Sequence, residues 1–314
     1  MIYLALAGPI VAAVLLGLVA PRLGRALPPA VSVPLMTLAS LVTALACGAV
    51  LAIAGFTVAA RDSEVAEVGH WSIPVLRQVD PMPAAVGPVS AIAVLALLVS
   101  ALVCAGRAAH ALWQADVACR RLTGQDVDGL VIVADTEADA YALPGRSGRV
   151  VVSTTMLAAL SAAERRVLLA HERSHLDHCH FAYVVAAQIA AAANPLLRPV
   201  ASVIEAGVER WADEDAAAAV RDRRLAAAAL ASAALARTPE ASRRMGYGLL
   251  SATGGSISDR TAALLAGPPR PHRMVCLFVA TAVVLTGGSA VLSARMTEHR
   301  FEVAQDAWAQ THGA

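Results

Sequence analysis

The strongest chemical signal in the sequence is five residues long: His171-Glu172-Arg173-Ser174-His175. Two histidines four apart on a helix share one face, about 6 Å apart. Both imidazoles can then reach one zinc ion. Glu172 points beside that face, where a carboxylate can take a proton from water that the ion activates. A catalytic zinc also needs a third protein ligand and an open fourth position. Three residues compete for that place. His178 is on the same face of an unbroken helix, but about 10.5 Å along the axis from His171. Bonds near 2.1 Å cannot span that gap. His180 requires the helix to break and turn back, and no glycine stands there to allow it. Glu209, in Glu209-Arg210-Trp211-Ala212-Asp213, offers a carboxylate from a separate helix and is the better candidate. Asp213, one turn on, can accept a hydrogen bond from a ligand imidazole and so fix its tautomer.

These residues need elements to hold them. Ser161 and Glu164 form a Ser-x-x-Glu capping box, opening a helix that has no Gly or Pro to stop it before 181. Residues 129–134 and 149–153 are short β-branched runs and the strand candidates. Between them Pro144, Gly145 and Gly148 mark a turn-rich connection. The strand at 150–153 can pair with an extended substrate, or be a plain core strand. Residues 201–236 are helical by composition, and 251–273, rich in Gly, Ser and Pro, read as a linker. Tyr141, Tyr247, Arg260 and His272 remain open as the group stabilising the oxyanion. Asp135, Glu137 and Asp139 alternate like a calcium loop, but the required glycine and closing glutamate are missing, so a solvated turn is expected. The pairs Arg120-Arg121, Arg165-Arg166, Arg223-Arg224 and Arg243-Arg244 read as surface charge rather than self-cleavage sites.

The chain around this site is a membrane protein by composition. Hydrophobic residues make up 57%, charged residues 16%, and mean hydropathy is +0.61. Soluble domains carry about 25% charged residues, so neither an ordinary soluble enzyme nor a disordered chain fits. The net charge of +1 gives no basis for nucleic-acid binding. Five scattered cysteines without a CxxC pair read as small buried hydrophobes. Residues 1–21, 26–60, 81–106 and 274–294 contain no ionisable acid or base, and a spanning helix needs roughly 20 apolar residues. Four transmembrane helices are expected at about 2–20, 34–59, 86–106 and 274–294. The first has no basic stretch before it, so it is not a cleaved signal peptide.

Arg22, Arg25, Arg107, Arg120, Arg121, Arg270 and Arg273 flank one side of these helices, while 61–80 is rich in acids. The positive-inside rule then places both termini outside and residues 107–273 in the cytoplasm. Three parts follow: a membrane region over 1–107, a cytoplasmic domain over 108–273 that carries the candidate zinc residues, and a fourth helix with its tail over 274–314. His70 and Trp71 outside read as an interfacial anchor, and Phe301 and Trp308 as marks of a helix lying at the interface. Segment 181–197 is uncharged, but a single crossing would separate His171 and His175 from Glu209, and it is too short to cross twice. It is therefore buried, re-entrant or surface-lying. The expected fold is a mainly α multi-pass membrane protein carrying a zincin-like α+β metallopeptidase domain between helices three and four.

The run HERSH at 171–175, Asn194-Pro195-Leu196-Leu197, and VERWADEDAA at 208–217 resemble the BlaR/MecR family of membrane zinc peptidases, over about residues 85–295. Residues 139–164 are similar to a segment shared with the related HtpX-type peptidases. The resemblance implies His171, His175 and Glu209 as zinc ligands, Glu172 as the base and Asp213 as the outer carboxylate. It also implies a protein substrate: a winged-helix repressor of the BlaI/MecI type, or the chain itself, cut on the cytoplasmic side. Three departures stand out. His180 occupies a place where the family often has Asp, and Arg173 replaces a usually apolar residue. The last helix is followed by residues 295–314, without the Ser-x-x-Lys motif of a penicillin-binding sensor domain. Two other readings compete with a regulatory protease. One is an HtpX-like quality-control peptidase; the other is a non-catalytic scaffold with a structural zinc, which leaves Glu172 without a role.

Overall fold

The computed structural model describes residues 2–79, 83, 85–122, 127–146, 148–237, 256–267 and 273–312, with side chains from Ala7 onward. Four helices are long and apolar enough to cross a membrane: α1 (Ile2–Ala26), α2 (Pro29–Ala59), α5 (Val86–Arg121) and the last, α12 (Arg273–His312). These are the four that the uncharged runs predict, but two overshoot. The end of α5 continues to Arg121, and α12 runs through the tail, since no Gly or Pro follows Gly288 before 313. The tail is therefore continuous with the fourth helix rather than a separate interfacial one.

Short helices α3 (Ser63–Gly69) and α4 (Ile73–Val79) fold the α2–α5 loop against that tail. Asp62 caps α3 by accepting from the Glu64 amide. Trp71 is buried, not an anchor: its indole N–H donates to the Ala60 carbonyl at 2.7 Å, and its ring meets Phe301 edge-on. The Ser72 amide donates to the Ala304 carbonyl. Burial of these aromatics ties the α2–α5 loop to the end of α12.

A three-stranded sheet follows α5: β1 (Leu130–Val133), β2 (Ala140–Leu143) and β3 (Arg149–Ser153), in the order β1-β3-β2. β1 is parallel to β3, and β2 antiparallel. β2 lies in the stretch read from sequence as turns. Its four residues carry little alternation of their own and are held by pairing with β3. β3 is central, with both edges taken, so the expectation that a substrate pairs with it fails. Val151, Leu143 and Tyr141 face Ala115 and Cys119 on the C-terminal extension of α5. Ala140, Val150 and Val152 face the opposite way, toward Leu168 and Ala233.

Next come α6 (Thr154–Ala159), α7 (Ala162–Asp177), α8 (His180–Ala193), a 3-10 turn (Pro195–Leu197), α9 (Arg198–Val220) and α10 (Arg223–Ala236). The Ser161–Glu164 capping box that opens α7 is complete in both directions. However, α7 stops at Asp177 instead of running to 180. Cys179 takes a left-handed conformation, φ 51°, and α8 starts at the next residue. The predicted helix over 201–236 is likewise two helices, broken at left-handed Arg221, with Asp222 capping the second. Within the expected linker lies α11 (Ile257–Ala266), capped by Ser256.

Helices α8 and α9 form a hairpin inserted into the bundle. Close approach needs small residues, and the glycines supply them. A Cβ on Gly17 of α1 would lie 2.9 Å from the Leu196 carbonyl oxygen, one on Gly24 2.5 Å from Val203, and one on Gly207 of α9 2.8 Å from Val33 of α2. At the tip, the buried Asn194 side chain accepts from the Leu196 amide and reaches Cys47 of α2. Val33 and Cys47 are about 21 Å apart along α2, which sets the depth of insertion. The segment 181–197 thus forms the first limb and the tip of a hairpin packed among these helices, and α9 is the returning limb. Cysteines at Val33 and Gly207, in a chain whose own five cysteines are serine, should form a disulfide under mild oxidation. A chain in which 181–197 crosses would give no such product.

Candidate active site

The buried face of α7 presents Glu172, Ser174 and His175 together with Val167 and Leu168. α9 packs along that face and brings Glu209 opposite the histidines. The Nε2 atoms of His171 and His175 are 3.2 Å apart. Each is 3.7 Å from one oxygen of Glu209. Ligand atoms about 2.1 Å from a tetrahedral ion stand about 3.4 Å from one another, so the three donors have the spacing that zinc requires. Among the described residues this is the group of His, Cys, Asp and Glu able to hold a metal ion.

A ring of partners aims the donors. His171 Nδ1 lies 3.1 Å from Asp213 Oδ1, where its N–H donates once Nε2 is given to a metal. Arg260 of α11 grips Asp213 through both oxygens, Nε at 2.8 Å and Nη2 at 2.7 Å, and reaches Glu209 Oε2 with Nη1 at 2.9 Å. Two candidate roles change here. Arg260, one of the possible oxyanion stabilisers, has its guanidinium committed to two carboxylates. His180, judged unable to turn back, does so because Cys179 breaks the helix without a glycine: its Nδ1 is 3.1 Å from His175 Nδ1. His178 is outside the group of three donors, with its Nε2 2.9 Å from Asp215, which also accepts from Ser174.

Electrostatics follow from burial and these pairs. Burial raises the Glu172 carboxyl above the usual carboxylate range, with His171 opposing it. Burial alone would raise Asp213, but hydrogen bonds from Arg260 and His171 outweigh it and hold the carboxyl well below its usual range. His171 shows the mirror image: burial would lower it, and Asp213 raises it. Burial, joined by the charges of His171 and His180, pushes His175 down. Glu172, a carboxylate of raised proton affinity beside three metal donors, is suited to taking and returning a proton.

Tyr141 lies on the sheet face turned toward α5, away from α7, which removes it as an oxyanion group. Tyr247, His272 and the Arg243-Arg244 pair lie outside the described residues. Asp135 accepts from the Glu137 amide in a local turn, and Asp139 faces Arg237, so the calcium-like alternation is used internally. Arg237 also donates to the Ala140 carbonyl at 2.8 Å, while the Ala140 amide bonds to Asp139. Those two backbone groups on the outer edge of β2 are therefore already satisfied.

Sequence reasoning missed His180 as a partner of His175 and Arg260 as the partner of both carboxylates. The signal for Arg260 was its charge in a segment with few others. For His180 there was none, because the turn at Cys179 has no marker residue.

No curated protein and no solved structure matches the chain. The family model described as Peptidase family M48 matches residues 114–312. This stretch is more than half of the chain and contains α7, α9 and α11, which carry the His-His-Glu group and its partners. Peptidases of this family depend on zinc. By that match, and with four helices long and apolar enough to cross a membrane, the chain belongs to peptidase family M48 and is a membrane metallopeptidase.

Proposed function

We propose that the protein is a regulatory membrane endopeptidase that hydrolyses a cytoplasmic winged-helix repressor of the BlaI/MecI type, or itself, in response to a signal. The observation that carries the catalytic part is the spacing of His171, His175 and Glu209, with buried Glu172 beside them. The regulatory part rests on the run HERSH, the NPLL turn and VERWADEDAA. The parts of the chain are then a membrane region over 1–107, a catalytic domain over 108–273, and a fourth helix with its tail. The arginines at 22, 25, 107, 120, 121 and 273 argue for a cytoplasmic catalytic domain with both termini outside.

His171, His175 and Glu209 would hold a zinc ion, which would supply Lewis-acid polarisation of the scissile carbonyl and an activated water at neutral pH. Glu172, the buried carboxylate on the same helix as the two histidines, would accept a proton from the attacking water and pass it to the departing amine. Asp213 keeps His171 in the tautomer that offers Nε2, and Arg260 balances the charge of Asp213 and Glu209. The outer edge of β2 beyond Ala140, at Ala142, is a place where extended substrate backbone can pair near α7.

The site also lies at the mouth of the inserted hairpin. Gly207 touches Val33 near the start of α2, and Arg210 donates to the Gly24 carbonyl near the end of α1. Glu209 sits between these two contacts in sequence. Substrate is thus cut close to the bilayer surface. Co-expression in membranes with a winged-helix repressor should give repressor fragments with the wild type. An intact repressor, alongside cleavage of misfolded membrane proteins, would replace regulation by quality control.

A further inference from the structure

We infer that His180 is the positioning residue for His175, accepting its Nδ1–H through Nδ1 and so presenting His175 Nε2 to zinc. The inference rests on the zinc-site reading above and concerns a residue with no role in it.

The tautomers follow from geometry. His175 Nε2 faces His171 Nε2 and Glu209 Oε1, so it is the metal donor and carries no proton. A neutral imidazole then holds its proton on Nδ1. The partner 3.1 Å away is His180 Nδ1, which must be the acceptor. The proton of His180 therefore sits on Nε2.

That assignment explains a feature that packing alone does not. His180 is fully buried, and among the described residues its Nε2 has no hydrogen-bond partner. An apolar ring would fill the same space without burying an orphaned N–H. The unpaired Nε2 is the consequence of using Nδ1. The ring itself is fixed: it stacks against His178, centroids 5.6 Å apart, and leans on Trp211 at 4.9 Å. Its backbone is placed by the left-handed Cys179, which lets the first residue of α8 fold back over the last turn of α7. The two histidine ligands are thus oriented differently, His171 by an anionic carboxylate locked to Arg260 and His175 by a neutral imidazole.

The test uses the full-length protein in detergent, stripped of metal and titrated with zinc against a chromophoric chelator. His180→Phe keeps a buried ring but has no acceptor; His180→Asn places an amide oxygen where Nδ1 was. Loss of an outer partner costs about 10- to 100-fold in metal affinity, so Phe should weaken zinc by that factor while Asn retains wild-type affinity. Cobalt substitution gives a second readout. The visible spectrum of the Asn variant should match wild type, and that of the Phe variant should change in shape, which a loss of stability alone would not produce. Thermal unfolding of the metal-free proteins removes folding differences from the comparison. Equal zinc affinity in wild type and Phe, or equal loss in Asn and Phe, overturns the role of His180 while leaving the zinc site standing. A wild type that binds no zinc overturns both.

Discussion

Glu172→Gln should lower peptide hydrolysis by about 100- to 10,000-fold, the range for a general acid–base group, while the zinc content of the protein stays at the wild-type level. The two halves of that result have separate causes. Glu172 is outside the donor triangle, so removing its charge takes nothing from the metal. It is a buried carboxylate on the same helix as the two histidines, 5% exposed, and burial has already raised its proton affinity, whereas Asp213 is tied to Arg260. Glutamine keeps the shape of the side chain and its packing but cannot accept a proton at working pH. Rates on a cleavable peptide, with metal analysis of the same sample, check both halves. A variant that hydrolyses at the wild-type rate would remove Glu172 from the mechanism. One that loses zinc would make it a ligand.

Arg260→Met should destabilise the metal-free protein by about 3–5 kcal/mol, the cost of removing one partner from a buried ionic cluster. The guanidinium is 12% exposed and serves Asp213 through two hydrogen bonds and Glu209 through a third. Methionine fills the space but leaves Asp213 and Glu209 with only the imidazoles of His171 and His175 as basic neighbours. Zinc replaces part of that charge at Glu209, so the loss should shrink when the metal is bound. Lysine should rescue only in part, because a single ammonium cannot reproduce the fork. Denaturant unfolding with and without zinc measures these differences. A metal-free Arg260→Met protein as stable as wild type would show that the cluster is not held by Arg260.

The parts legible in the sequence are those where one physical signal decides. Uncharged runs mark the four long helices because a charge inside a bilayer is costly. The i, i+4 histidines, together with Glu209 and Asp213 one turn apart, identify the donor group because helix geometry fixes which side chains share a face. What was not legible depends on tertiary contact. β2 is a strand because β3 pairs with it, not because Ala140–Leu143 favours extension. Cys179 and Arg221 adopt left-handed backbone without being Gly or Asn, so neither turning residue is marked in the sequence, although Asp222 after the second is a cap residue. α11 hides in a segment whose Gly, Ser and Pro content suggests a linker, yet a serine cap and one turn of Asp259 and Arg260 suffice to start it. The inserted hairpin was narrowed to three forms by zinc geometry. The small residues at 17, 24 and 207 that admit it make sense only once α1, α2 and α9 are seen together.

The most direct measurement is hydrolysis by metal-free protein as zinc is added back. Cleavage should be absent without metal, rise in proportion to zinc, and level off at a single zinc per chain, with Glu209→Ala inactive at the same zinc concentration. Cleavage by the metal-free protein, or wild-type activity from Glu209→Ala, would contradict a zinc peptidase built on His171, His175 and Glu209.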